Sequence, residues 1–307
     1  MRDRPRIASA PDVDAYARPM VQGYQEEDAH ILDYGLVQVP SLPDWARSFR
    51  GPLPETDQFI AFLGAAQTFG RLCADPFPAL VAAELGVEAL NLGQGGAGPE
   101  LFLRDEFRAA AEKASLVVVQ VMSARSQSTK YFRSDVGLMA GRRVADDKPM
   151  VAEELFEDLH RDTPGRIPEV VAEFQRCYTA SMVALIEAMK PRPVVLLWFS
   201  VRPPGPVPTT GSPDELLGEF PQMVSADMIE RIRPHADAYV ECVTSEGLPR
   251  RIVNAAGEPS SFVLDYRLSD RQTYEVQYDS YYPSPEMHAT AAEQLVPVIR
   301  SLLGSAD

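Results

Sequence analysis

From Gln58 onward, short apolar runs bounded by glycine or polar residues alternate with amphipathic stretches. This alternation is typical of α/β proteins, in which helices follow the strands of a parallel sheet. The runs that predict strands are 59–64, 88–93, 115–122, 193–201 and 237–243. The first and third are almost wholly apolar, as expected of strands buried on both faces. The pattern therefore predicts a three-layer α/β/α domain with a five-stranded parallel sheet.

Three segments do not fit a simple strand–helix repeat. Residues 1–56 are rich in proline and glycine and predict an extension that packs on the domain through Trp45 and Phe49, leaving 57–307 as the α/β/α domain. Residues 124–190 exceed one crossover and contain two amphipathic stretches, which predict a helical insertion. A stretch ending at Tyr278 predicts a hairpin, and Ser284 is a suitable cap for a terminal helix.

Composition narrows the choice of partners. The chain of 307 residues has a formal net charge of −15, which repels nucleic-acid phosphates and anionic lipid. It contains no run of eighteen apolar residues, so we expect no membrane span, and with the acidic charge no membrane partner. The polar N-terminus lacks the apolar core of a secretory signal, and three cysteines without a CxxC pair favour the reducing cytoplasm. No metal, P-loop or dinucleotide motif is present, so we expect no metal and no cofactor.

Ligands of open α/β sheets bind beyond the carboxyl ends of the strands. The loops that follow Gly64, Leu92, Met122 and Val201 should therefore line the site. The first of these loops reads GAAQTFG over residues 64–70, and the second reads NLGQGGAG over residues 91–98. A third polar segment, DSYYPSPEMH over residues 279–288, precedes the terminal helix.

These segments resemble the sequence blocks of SGNH/GDSL hydrolases in their order and positions. The first block of that family reads Gly-Asp-Ser-Leu/Ile-Thr-x-Gly, and here Ala66 occupies the position of the serine nucleophile. Gly93 and Gly96 match the glycines of the second block, where a glycine amide helps form the oxyanion hole. In the last block, Asp-x-x-His-Pro, Asp279 matches and Tyr282 occupies the histidine position.

The third block of the family ends in Gly-x-Asn-Asp, and its asparagine is a second oxyanion donor. Here residues 122–125 read Met-Ser-Ala-Arg, so this asparagine is absent. Alanine lacks a hydroxyl, and tyrosine, with an unperturbed pKa of about 10, is a poor base near neutral pH. Loss of the nucleophile or base costs about a million-fold in turnover in a well-studied triad enzyme, or roughly 8 kcal/mol of barrier. The resemblance thus implies a flavodoxin-like SGNH fold in a divergent bacterial branch with a degenerate catalytic triad.

The first functional hypothesis is a binding protein. It would hold an acylated, glycan or anionic small molecule in the cleft that corresponds to the active site of SGNH/GDSL hydrolases. Gln67, Ser123 and Arg125, with Gly93 and Gly96, are its candidate ligand-binding residues. Arginine is costly to bury unless paired, so we expect Arg125 to meet Asp279 or an anionic ligand. Structural roles are also open: Thr68 as a helix cap, Asp279 as an acceptor from backbone amides, and His288 as a support for the terminal helix.

Two other hypotheses remain. A transferase, hydrolase or lyase acting on a carbohydrate or acyl substrate could use a rearranged site drawn from Ser123, Asp279, Tyr282 and His288. Alternatively, the N-terminal extension or the insertion at 124–190 could make a protein contact, with no role for the cleft.

Overall fold

The computed structural model describes residues 24–265 and 273–304, which form a mixed α/β structure. The strands are, in chain order, β1 (Leu36–Val37), β2 (Phe49–Arg50), β3 (Phe59–Leu63), β4 (Glu88–Asn91), β5 (Leu116–Gln120), β6 (Phe132–Ser134), β7 (Ala140–Arg143), β8 (Pro149–Val151), β9 (Val194–Ser200), β10 (Ala238–Val243), β11 (Arg250–Arg251), β12 (Phe262–Asp265), β13 (Thr273–Val276) and β14 (Tyr278–Asp279). The helices are α1 (Ala66–Phe69), α2 (Phe77–Leu85), α3 (Pro99–Phe102), α4 (Asp105–Ala110), α5 (Ala152–Asp162), α6 (Ile167–Met189), α7 (Pro213–Leu217), α8 (Ala226–Ile232) and α9 (Pro285–Gly304).

The central sheet has seven strands in the order β1-β2-β4-β3-β5-β9-β10, rather than the five expected. Strands β4, β3, β5, β9 and β10 pair in parallel, and they coincide with the five apolar runs. The two extra strands, β1 and β2, add antiparallel pairings at one edge. They lie in the predicted N-terminal extension, and the sequence did not predict them because two-residue strands are too short to produce a recognisable alternation.

Side chains of the central strands alternate between two apolar layers, as the pleat of a strand requires. On β3, Ile60 and Phe62 pack with α2 and α9, whereas Phe59, Ala61 and Leu63 belong to the layer that contains α6. Every residue of β3, β5 and β9 is buried, which explains their continuous apolar sequences.

The segment 124–190 is not helical throughout, which corrects the expected helical insertion. Its first half contains β6, β7 and β8, which form a separate three-stranded antiparallel sheet. Helices α5 and α6 follow and correspond to the two amphipathic stretches. Strands of three or four residues with polar members lack the length to produce a clear period of two.

Two of the segments that did not fit the strand–helix repeat are described only in part. Phe49 is fully buried, and the ring of Trp45 meets that of Phe107 edge-on with centroids 5.0 Å apart. Near the other end, β12 and β13 pair antiparallel, while the connecting residues 266–272 of the expected hairpin lie outside the described residues. Residues 1–23 of the expected extension also lie outside them.

The terminal helix α9 follows Ser284, whose hydroxyl accepts a hydrogen bond from the amide of Met287 at 3.1 Å. This contact confirms the predicted cap, because a serine oxygen satisfies one of the free amides in the first turn. Among the helices of the described residues, none combines the length and apolar character that a membrane span requires.

Candidate functional site

Ala66 is the first residue of α1, directly beyond the carboxyl end of β3. Ala66 is 7% exposed and belongs to an apolar cluster with Leu72, Ile252, Phe262 and Tyr282. A hydroxyl at this position would therefore lie against apolar side chains. The position that matches the nucleophile of the SGNH/GDSL pattern is thus part of a packed cluster.

The turn that leads into Ala66 is held by Gln120 at the end of β5. Gln120 Oε1 accepts hydrogen bonds from the Ala65 amide at 3.0 Å and from Thr68 Oγ1 at 2.7 Å. Gly64 has to be glycine, because a Cβ there would lie 2.1 Å from Thr68 Oγ1 and 2.4 Å from Gln120 Oε1. Thr68 therefore ties the turn to the sheet and is not the helix cap that we expected.

Tyr282 faces a cation rather than a nucleophile. Its hydroxyl oxygen accepts a hydrogen bond of 2.8 Å from Nη1 of Arg71, which follows α1 closely in the chain. The ring is buried, and its centroid lies 5.9 Å from that of Phe262. The position that matches the catalytic base is therefore coupled to an arginine.

Arg71 also forms a buried, bidentate ion pair with Asp28. Nε donates to Asp28 Oδ2 at 2.7 Å and Nη2 donates to Oδ1 at 3.0 Å. The two side chains are only 4% and 2% exposed. Burial acts to lower the pKa of Arg71, but Tyr282 and Asp28 raise it above the ordinary arginine value, so the guanidinium stays charged.

Three aromatic rings surround the Arg71 guanidinium. Its central carbon lies 4.0 Å from the ring centroid of Tyr24, 4.7 Å from Phe262 and 4.9 Å from Tyr282. Aromatic faces attract a cation, and the attraction increases when water is excluded. The buried cluster around Ala66 thus contains one charged arginine, one carboxylate from Asp28 and three aromatic rings.

Asp279 is committed to the backbone of the segment that contains Tyr282. Its Oδ1 accepts hydrogen bonds from the amides of Tyr281 at 2.9 Å and Tyr282 at 3.0 Å. Its other oxygen, Oδ2, lies 3.7 Å from Nη2 of Arg250. The carboxylate therefore orders this turn, which is the structural role considered for it from the sequence.

Arg125 does not meet Asp279, which corrects one of the two partners expected for it. Its Nη1 donates to Oε1 of Glu153, on α5, at 2.5 Å. The two side chains are 15% and 20% exposed. The charge of Arg125 is thus compensated within the chain, by a residue of the insertion.

The side chain of the neighbouring Ser123 is hydrogen-bonded to the backbone two residues further along the chain. Its Oγ accepts a hydrogen bond of 3.2 Å from the amide of Arg125 and caps the short 3₁₀ turn Ala124–Ser126. Gln67 differs, because its side chain is buried while its Oε1 has no hydrogen-bond partner among the described residues. A buried acceptor of this kind is costly unless something else satisfies it.

The glycines of the second block serve close packing. The amide of Gly93 donates to Oδ1 of Asn91 at 2.9 Å, so this donor is used within its own loop. A Cβ on Gly93 would lie 2.3 Å from the amide nitrogen of Phe69, which explains the glycine. Gly96 has φ +75°, a left-handed conformation that favours glycine, and a Cβ there would press on Met139.

His288 is a structural residue of the core. It is fully buried, and its Nδ1 accepts a hydrogen bond of 3.2 Å from the amide of Phe77. Burial, with smaller contributions from Arg250 and Arg50, lowers the pKa of His288 to about 3. The neutral ring therefore links α9 to the start of α2, and the sequence expectation of a supporting role is confirmed.

Arg71 and Asp28, the ion pair beside Tyr282, were not predicted from the sequence. Arg71 directly follows the GAAQTFG segment, and a cation next to a buried turn was the available signal. Asp28 had no comparable signal, because it lies 43 residues away in a short 3₁₀ turn, Glu27–His30. Within the described ranges, no group of three or more His, Cys, Asp or Glu side chains could hold a metal ion.

A family model described as Domain of unknown function (DUF6473) matches residues 24–135 and 150–303. No curated protein matches the chain in sequence. Solved structures similar to the chain include a carbohydrate esterase family 2 enzyme with a carbohydrate binding domain from Corynascus thermopiles (Myceliophthora fergusii). It is 16% identical, with a TM-score of 0.40 over 83% of this chain and 69% of that one.

Two further structures are the lipase Lip_vut3 from a goat rumen metagenome and a putative lipolytic protein of the G-D-S-L family from Desulfitobacterium hafniense DCB-2. The first is 11% identical, with a TM-score of 0.41 over 80% of this chain and 97% of that one. The second is 14% identical, with a TM-score of 0.34 over 79% of this chain and 99% of that one.

Proposed function

The chain belongs to the family described as Domain of unknown function (DUF6473), and we propose that it is an SGNH/GDSL-like protein with a degenerate triad that binds a small ligand. The ligand is an acylated, glycan or anionic molecule held in the cleft beside Ala66. Ordinary ester hydrolysis is not its activity. Its three cysteines, Cys73, Cys177 and Cys242, are free, which suits the reducing cytoplasm that we propose as its location.

The observation that carries this proposal is the engagement of Tyr282 by Arg71. A triad needs a base that can accept a proton from the nucleophile and an acid that orients the base. Here the residue at the base position accepts a hydrogen bond from a charged guanidinium, and Ala66 offers no proton to transfer. Asp279 is bonded to two backbone amides instead of a histidine.

The contacts of the other candidate groups support binding over a rearranged enzyme site. Ser123 caps a turn, and no base is found among its hydrogen-bond partners in the described residues. His288 is bonded to the Phe77 amide, and its low pKa keeps it neutral at physiological pH. A general base has to lie within hydrogen-bond reach of the proton that it removes. Neither Ser123 nor His288 meets that requirement.

Two groups of the cleft remain suitable for holding a ligand. Arg71 supplies a permanent positive charge between aromatic rings, and an anionic ligand would bind it in place of Asp28, with which it is paired. Gln67 supplies a buried acceptor with no hydrogen-bond partner in the described residues, directly beside Ala66. A pocket of apolar walls with a few polar groups is the usual form of a small-molecule site.

The test is a ligand-observed NMR screen of acylated, glycan and carboxylate-bearing small molecules, combined with an esterase panel on the same protein. We expect binding without turnover, and loss of binding in Arg71→Met. Arg104→Met is the matched control, because Arg104 pairs with Glu106 at the surface. Robust turnover of short acyl esters, abolished by Tyr282→Phe, would contradict the proposal. Binding that survives in Arg71→Met would place the ligand outside this cleft.

A further inference from the structure

We propose that Arg71 is the anchor of a binding site for a carboxylate-bearing ligand, and that Asp28 occupies this site and holds it closed. The inference rests on the proposed function, because it names the chemistry of the ligand that the cleft takes. It also goes further, because it assigns a regulatory role to the chain segment that carries Asp28.

Arg71 contacts both Tyr282 and the backbone of Ala66. The residue follows α1, the helix that begins with Ala66, and its Nη1 contacts the tyrosine that replaces the catalytic histidine. Its backbone amide also donates to the carbonyl of Ala66 at 3.2 Å, so Arg71 contacts both positions that match the nucleophile and base of the SGNH/GDSL pattern. A ligand carboxylate on Arg71 would lie next to these two positions.

Asp28 contacts Arg71 through both of its carboxylate oxygens. The carboxylate meets the Nε–Nη2 edge of Arg71 with two hydrogen bonds of 2.7 and 3.0 Å. This bidentate arrangement is the one by which arginine recognises a free carboxylate. Asp28 thus marks where the carboxylate of a ligand would lie and which donors it would use.

The segment that delivers Asp28 is held at separate points rather than by a strand or a long helix. Asp28 lies in a 3₁₀ turn of four residues, and its Oδ2 also accepts from the Tyr34 hydroxyl at 3.1 Å. His30 joins the same turn to the carbonyl of Ser261 at 2.9 Å. These contacts, together with the Arg71 pair, are the ones that displacement of Asp28 has to break.

Displacement of Asp28 requires a replacement anion. Both side chains are almost fully buried, and breaking a buried pair leaves an uncompensated charge that costs several kcal/mol. An entering carboxylate removes that cost on the arginine side, while Asp28 gains water as its turn moves out. The closed state therefore favours exchange of one carboxylate for another over simple opening.

The surroundings favour a carboxylate with a flat, apolar body over a phosphate. Phe262 and the faces of Tyr24 and Tyr282 leave little to solvate a second negative charge. A ring of the ligand could instead pack edge-on against these aromatic side chains. The Tyr24 hydroxyl is buried without a hydrogen-bond partner in the described residues, and it is a donor available to such a ligand.

The experiment removes the internal carboxylate and supplies an external one. Asp28→Ala is compared with Asp28→Asn, in which an amide of nearly the same size keeps the space filled. Thermal unfolding is followed in sodium acetate, sodium benzoate, sodium phosphate and sodium chloride at equal ionic strength.

We expect acetate, and more strongly benzoate, to raise the melting temperature of Asp28→Ala above its value in chloride. The apparent affinity for benzoate should be at least about tenfold higher than in the unsubstituted protein, because a tethered competitor has been removed. Asp28→Asn should respond less, and the double variant Asp28→Ala/Arg71→Met should not respond. Identical melting of Asp28→Ala in acetate, benzoate and chloride would overturn the inference, and an equal response to phosphate would overturn the assignment to carboxylates.

A second measurement on the unsubstituted protein keeps the test valid if Asp28→Ala does not fold. The amides of Ile31 and Leu32 donate to the carbonyl of Asp28 at 2.8 and 3.1 Å. Saturating benzoate should speed hydrogen exchange in the peptide that covers 24–34, because the turn is displaced. Exchange that slows or stays unchanged there, while benzoate is bound, would contradict displacement of Asp28.

The outcomes separate this inference from the proposed function. If the protein hydrolyses esters yet Asp28→Ala responds to benzoate, the proposed function fails and the carboxylate site stands. If the protein does not hydrolyse esters and binds a ligand that leaves 24–34 unchanged, the proposed function stands and the inference fails.

Discussion

Nη1 of Arg71 lies 2.8 Å from the hydroxyl oxygen of Tyr282, so a permanent cation contacts the side chain that we propose matches the catalytic base of the SGNH/GDSL pattern. The same arginine is paired with Asp28, which comes from a segment outside the SGNH/GDSL pattern. The proposed departure from the triad thus coincides with a buried ion pair beside Tyr282. Substitution of single residues back to the pattern would leave those charges in place.

The buried pair should contribute strongly to stability. Arg71→Ala leaves Asp28 buried without its charge partner, and we expect a loss of about 3–5 kcal/mol in the free energy of unfolding. Arg104→Ala is the control, because Arg104 and Glu106 are 40% and 37% exposed and such a pair contributes about 0–1 kcal/mol. Urea unfolding of both variants measures the difference. A loss for Arg71→Ala as small as that for Arg104→Ala would contradict a tightly coupled pair.

Restoring two triad residues should restore little activity. In Ala66→Ser/Tyr282→His, the new histidine would stand beside the Arg71 cation, and Asp279 would still be bonded to backbone amides. The asparagine donor of the third block would also be missing, and loss of one oxyanion donor costs about 10²–10³ in turnover. We expect only slight hydrolysis of p-nitrophenyl acetate. Turnover near that of ordinary esterases would show that the cleft had kept its catalytic geometry.

His288 should make the protein less stable in mild acid. Burial lowers its pKa in the folded state to about 3, against 6.5 for an ordinary histidine. The folded state therefore favours the neutral ring, and this contribution is complete above pH 6.5 and is lost as the pH falls from there toward the folded pKa. Between pH 7 and pH 5 we expect a loss of about 2 kcal/mol. His288→Asn, which keeps an acceptor for the Phe77 amide, should show a shallower pH dependence in urea unfolding; an unchanged slope would contradict this assignment.

His30 should have the opposite pH dependence. Its two ring nitrogens each lie 2.9 Å from a carbonyl oxygen, of Glu27 and of Ser261, and only the protonated ring can donate to both. The Ser261 carbonyl, then that of Glu27, raises the pKa of His30. This contact is therefore complete below pH 6.5 and is lost as the pH rises through the raised pKa. After correction for intrinsic rates, hydrogen exchange of 24–34 should quicken above that pKa, and the dependence should vanish in His30→Gln. Equal protection of the 24–34 amides at low and high pH would contradict the role of protonated His30 in holding this turn to Ser261.

The length and burial of each strand decide whether its sequence predicts it. The strands β3, β5 and β9 are buried along their whole length, so their apolar runs predicted them well. The strands β1, β2 and β6 to β8 have two to four residues each, too few to produce a period. The sequence located Ala66 and Tyr282 through the pattern of blocks. The sequence could not pair Arg71 with Asp28. That contact depends on how the turn Glu27–His30, which shows no periodicity, packs against Arg71.

The most direct test of the central claim is the initial rate at which the unsubstituted protein hydrolyses p-nitrophenyl acetate near neutral pH. A site with Ala66 at the nucleophile position and Tyr282 bonded to Arg71 predicts a rate equal to that of buffer alone. Tyr282→Phe, which removes only the hydroxyl, should leave that rate unchanged. Turnover clearly above the buffer rate that disappears in Tyr282→Phe would contradict the account, because it would show that the cleft performs catalysis through the residue at the base position.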